Sequence, residues 1–161
     1  MKAQIAGSPS FSHLHVDLDP GESVAAESGA MQAMAAQIAM KTVLNGGFLS
    51  GITKKLFGGE SLFLNHFSNE GTGPARVTLA QNVPGEIVEM PLAAGEEIYL
   101  QKGAYLAHSG DVALTTTWAG FASLFAGEGL VRLSAKAEGG DGRIWFGAYG
   151  GIMQRQVDGE L

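Results

Sequence analysis

Cysteine is absent from the chain, which removes thiolate nucleophiles, thiolate metal ligands and disulfides together. Cysteine proteases and zinc ribbons are therefore excluded, and the redox compartment is not legible from cysteine usage. Basic residues are scarce: ten Lys and Arg stand against sixteen Asp and Glu, a formal net charge of -6. Affinity for nucleic acid comes largely from clustered Lys and Arg that neutralise phosphates, so this balance opposes a nucleic-acid partner. Long apolar runs are missing too. No stretch approaches the roughly 18 apolar residues that span a bilayer, and Met1-Lys2-Ala3-Gln4-Ile5 has no apolar region behind its lysine. These features place the protein in the cytoplasm, with no cofactor implied.

Glycine, by contrast, is abundant. Its 24 occurrences in 161 residues are about twice the average share of roughly 7%. They fall singly and in pairs between short apolar runs, the punctuation of a many-stranded protein. Hydrophobic residues make up 45% of the chain, enough for a core without metal or disulfide.

The glycines also mark a duplication. Leu18-Asp19-Pro20-Gly21-Glu22, followed by Gly29-Ala30 and Ala33, reappears 74 positions later as Leu92-Ala93-Ala94-Gly95-Glu96, Gly103-Ala104 and Ala107. A second block, Gly47-Phe48-Leu49-Ser50 leading to Gly59-Glu60, has its counterpart in Gly120-Phe121-Ala122-Ser123 leading to Gly127-Glu128. A Gly-x-Gly turn closes each copy, at Gly71 and Gly73 and at Gly140 and Gly142. Internal repetition of this kind predicts one structural unit used more than once. The units span 1–83 and 84–156, and 157–161 resembles the opening of a third copy that then stops. An exposed last strand, borrowed by a neighbour, is the expected consequence.

Each unit reads as strands. In Ser12 to Leu18, Leu14, Val16 and Leu18 alternate with His13, His15 and Asp17, the period of a half-buried strand. Further runs are expected at 61–67, 75–80, 86–90, 97–100, 112–117, 130–135 and 143–149, with a turn and a strand over 37–42. Turns are expected at Asp19-Pro20-Gly21, Pro84-Gly85 and Gly139-Gly140-Asp141-Gly142. Strands at this spacing indicate an all-β sandwich or barrel. Gly47 to Leu56 is the best helical candidate, with Phe48, Leu49, Ile52 and Leu56 on one side.

The candidate chemistry is sparse. Gly7, then His13-Leu14-His15 and Asp19, matches the first half of a cupin metal motif with Asp in place of Glu. Two histidines at i and i+2 of one strand share a face and can share an ion. A third ligand after Pro84-Gly85 does not come until His108, so a polar surface pair is the alternative, and the commoner one. Glu22, Glu60, Glu96 and Glu128 recur after glycine, as turn-capping acids do. No Gly-x-Ser-x-Gly or phosphate-binding glycine motif occurs. Two apolar segments offer docking surfaces instead: Phe48, Leu49, Ile52, Leu56 and Phe57, and Phe121, Leu124 and Phe125.

The blocks Glu27-Ser28-Gly29-Ala30-Met31, Gly59-Glu60-Ser61-Leu62-Phe63, Asn69-Glu70-Gly71-Thr72-Gly73 and Pro84-Gly85-Glu86-Ile87 resemble the altered-inheritance-of-mitochondria (number 24) family, bacterial proteins of unassigned function. The resemblance implies tandem units like the tryptophan RNA-binding attenuator protein, each a short double-stranded β-helix or β-sandwich, in a pseudo-threefold. Two copies would be complete here, with the start of a third. It implies a homo-oligomer, a trimer or a multiple of it, and a protein or membrane-associated partner. A non-enzymatic, self-associating β scaffold is the reading this favours. The alternatives are a cupin-like metal-dependent enzyme using His13 and His15, and RNA binding, which the acidic balance disfavours.

Overall fold

The computed structural model describes residues 1–44, 62–101, 103–118, 131–156 and 158. These form eleven strands: β1 (Lys2–Ala6), β2 (His13–Leu18), β3 (Ser23–Glu27), β4 (Met31–Met34), β5 (Ile38–Leu44), β6 (Phe63–Asn69), β7 (Ala75–Ala80), β8 (Gly85–Leu92), β9 (Glu97–Gln101), β10 (Tyr105–Trp118) and β11 (Val131–Tyr149). No described residue is helical, and no helix among them is long and apolar enough to cross a membrane. The fold is all-β, in two sheets.

The smaller sheet runs β1-β2-β7-β4, and the larger runs β5-β6-β3-β10-β11-β8 with β9 also on β11. Every pairing between named strands is antiparallel. The alternation in β2 carries through: Leu14, Val16 and Leu18 are fully buried, while His13, His15 and Asp17 take the other face. They meet Val77 and Leu79 of β7, Val24, Ala26 and Phe67 of the larger sheet, and Ile87, Leu106, Ala107 and Trp145 from its far half. Burying side chains of this size contributes about 1.5–3 kcal/mol each. A second core gathers Leu64, Leu92, Leu100, Tyr105, Leu114, Leu133 and Ile144, all from the larger sheet, so that sheet folds back on itself.

The fold-back happens at glycines. The segment Gly139-Gly140-Asp141-Gly142 does not turn, as its composition predicts, but stays within β11. There β11 passes from pairing with β9, through Arg132–Lys136, to pairing with β8, through Gly142–Tyr149. A β-carbon on Gly139 would meet Asp111 Oδ2, and one on Gly142 would meet Val112 Cγ2. These glycines permit close approach at a bulge, between Gly110 and Val112, the other common use of glycine in strands.

Local geometry recurs between the halves. Glu22 Oε2 accepts from the backbone N–H of Asp19 at 2.8 Å, and Glu96 Oε2 from that of Ala93 at 2.9 Å. Met31 faces Leu79 and, after a register shift, Ala33 faces Thr78. Tyr105 faces Phe146 and, after a register shift, Ala107 faces Trp145.

Candidate functional site

Three features of this framework are chemically distinctive, beginning with the histidine pair. On the outer face of the smaller sheet the His13 and His15 ring planes are inclined at 77°, their centroids 4.7 Å apart. His13 Nδ1 lies 3.4 Å from the carbonyl oxygen of Phe11, and His15 Nδ1 lies 2.9 Å from Thr78 Oγ1. Burial, then the charges of His13 and Arg76, holds the His15 pKa below its ordinary value. Gly7 serves this corner: at φ +75 a β-carbon there would collide with Phe11 O and lie 3.2 Å from His13 Nδ1. Asp19 is engaged elsewhere, 3.5 Å from the Met1 ammonium. Asp17, on the same face as the histidines, is held by Arg76 at 2.7 and 2.8 Å. That pairing keeps its carboxyl below the usual range. Among the described residues no group of three or more His, Cys, Asp or Glu is placed to hold a metal ion.

His108 is not the third member of that set. It is buried in the larger sheet, where a row of cross-strand neighbours runs Lys41, His66, Ala25, His108 and Ile144. Such neighbours share one face of a sheet. Ala25 stands between the two imidazoles, which are two strand spacings or about 10 Å apart. The Tyr105 hydroxyl lies 2.7 Å from His108 Nδ1 and donates to the carbonyl of Ala25 at 3.4 Å. Burial, assisted by the charge of His66, pushes the His108 pKa down to about 4. Burial, assisted by Glu27, pushes the Tyr105 hydroxyl up, and burial raises Glu27 itself. This is a neutral imidazole in a buried polar cluster, suited to fixing β10 against β3. The pairing of Tyr105 with His108 is not legible in the sequence because the bulge that brings them together, between Tyr105 and Ala107, leaves no periodic signal.

The third feature is unpaired strand edge. Between the halves, β10 joins β3 through Ala107 with Ala26 and His108 with Ala25. On β4 and β9 one edge is paired, to β7 and β11 respectively, and the other carries no strand among the described residues. Each presents a large apolar side chain, Met34 at 39% exposure and Tyr99 at 57%. The docking candidates Phe48, Leu49, Ile52, Leu56 and Phe57, and Phe121, Leu124 and Phe125, lie outside the described residues, as does most of 157–161.

Comparison with known proteins places the chain. An uncharacterised protein of Streptococcus pyogenes serotype M6 is 32% identical over 167 residues, covering 99% of this chain and 65% of its own length. The crystal structure of another Streptococcus pyogenes protein superposes with a TM-score of 0.74 at 28% identity, covering 98% of this chain and 69% of that one. The chain thus spans about two thirds of the relatives it matches. A sequence model described as mitochondrial biogenesis AIM24 matches residues 3–161, and the chain belongs to that family.

Proposed function

We propose that this protein is a non-enzymatic, self-associating β scaffold built from tandem attenuator-protein-like units, whose open strand edges join copies to one another. One observation supports the reading: among the described residues the junction between the halves has unfilled counterparts. At that junction Ala25 and Ala26 of β3 face His108 and Ala107 of β10. The duplication displaces positions by 74, so Tyr99 and Leu100 of β9 correspond to Ala25 and Ala26. By the same displacement Met34 and Ala33 of β4 correspond to His108 and Ala107. An unpaired edge is a template for another chain. Repeating the internal junction between two copies sets Tyr99 of one opposite Met34 of the next, and Leu100 opposite Ala33. That contact covers two exposed apolar side chains, and a sulfur–aromatic contact contributes about 0.3–1.5 kcal/mol.

Size-exclusion chromatography with light scattering tests the reading. The unaltered chain should assemble. Tyr99→Lys and Met34→Glu should each weaken assembly, and mixing the two altered chains should restore it, because opposite charges then face one another across the new pair. A concentration-independent monomer at micromolar protein sinks the proposal.

A further inference from the structure

We propose that His13 and His15 together bind one divalent transition ion of the nitrogen-preferring kind, Cu²⁺, Ni²⁺ or Zn²⁺, on the outer face of the smaller sheet. The two side chains leave one face of β2 because Leu14 and Val16 are committed to the core on the other. Two imidazoles sharing an ion through Nε2, at about 2.0–2.1 Å each, put their ring centroids roughly 4.5 Å apart when the angle at the ion is square and roughly 5.2 Å apart when it is tetrahedral. The centroids here are 4.7 Å apart before any ion arrives.

The other ring nitrogens are already occupied. Phe11 O stands opposite His13 Nδ1, and Thr78 Oγ1 opposite His15 Nδ1. Ligating histidines almost always give their second N–H to an oxygen acceptor, which fixes the ring and leaves the first nitrogen's lone pair for the metal. Phe11 O can only accept, so His13 carries its hydrogen on Nδ1; the Thr78 hydroxyl can accept from His15 Nδ1, and in that tautomer both Nε2 atoms are free to ligate. Gly7 maintains the arrangement, since a β-carbon there would press on Phe11 O and His13 Nδ1 together. Selectivity follows from what is withheld. Asp17 shares the face, yet both its oxygens are bound by Arg76, so no free carboxylate enters the site. Ca²⁺ and Mg²⁺, which require oxygen ligands, are disfavoured, and water completes the coordination of the softer ions.

Isothermal titration of the full chain with CuCl2, NiCl2 and ZnCl2, with MgCl2 as control, tests the site. One transition ion per chain and no Mg²⁺ uptake are expected. His13→Ala or His15→Ala should abolish that uptake while the circular dichroism spectrum stays that of a folded β protein. Thr78→Val, which removes only the acceptor behind His15, should lower affinity about tenfold, and the Cu²⁺ electron paramagnetic spectrum should show coupling to two nitrogens. Absence of uptake by the unaltered chain overturns the proposal. So does uptake that survives in the His13→Ala/His15→Ala double variant, or an affinity indifferent to Thr78→Val.

Discussion

Acidification from pH 7 to pH 5 should weaken this protein through His108. In the folded chain its imidazole titrates at about 4, whereas an imidazole in water titrates near 6.5. The unfolded chain therefore binds more protons than the folded one throughout the interval between these values, and stability falls as the pH falls through it. The contribution is complete above about pH 7. At about 1.36 kcal/mol per pKa unit, some 3 kcal/mol is lost by pH 4, and linkage across the two titrations puts roughly 2 kcal/mol of that loss between pH 7 and pH 5. Glu27 acts in the opposite sense. Its carboxyl is raised by burial, so acidification relieves a penalty there and shallows the slope. Urea titrations at pH 7, 6 and 5, on the unaltered chain, His108→Gln and Glu27→Gln, separate the two. His108→Gln should flatten most of the pH dependence and Glu27→Gln should steepen it. Equal slopes for the unaltered chain and His108→Gln would refute the reasoning.

Other perturbations follow from the same geometry. Asn69, buried, gives its amide N–H groups to the carbonyls of Leu18 and Gly73 at 2.8 and 2.9 Å, so Asn69→Asp turns a carboxylate toward two acceptors. A urea midpoint loss equivalent to more than about 1–3 kcal/mol is expected, and little change would disprove the role. Gly7→Ala places a β-carbon against Phe11 O at a positive φ. It should cost about 1–3 kcal/mol and alter the His13 imidazole chemical shifts in NMR. Arg76→Gln removes the partner of a partly exposed carboxylate, Asp17. It should shift the midpoint only slightly, with the effect fading in high salt and as the pH falls below the carboxylate range. A large salt-insensitive loss would contradict this.

Strand chemistry is plainly written in this chain where one face meets the core and the other does not. The alternation of Leu14, Val16 and Leu18 with His13, His15 and Asp17 places β2 and orients both imidazoles. The Gly21-Glu22 and Gly95-Glu96 pairs mark tight turns whose acids accept from a backbone N–H. Glycine is ambiguous, however, because a turn and a close approach between strands make the same demand for a missing side chain. Gly139 and Gly142 are the second kind, so a long strand is hidden under a turn signature. The Tyr105–His108 contact is hidden for a related reason: it arises across a bulge, where the period of two that makes strands readable is interrupted. β1, β3 and β4 are only four or five residues long, and their pairing follows from the sheets around them.

One core draws Val24, Ala26 and Phe67 from the first half of the chain and Ile87, Leu106, Ala107 and Trp145 from the second. Proteolysis of the peptide bond between Val83 and Pro84 would therefore yield two pieces that stay together as a nicked, native-like particle. Expressed separately, each piece would expose a greasy half-surface shaped for the other. The two halves are in this sense obligate chaperones of one another, and a reporter split at that position should regain its signal only when both are made in the same cell.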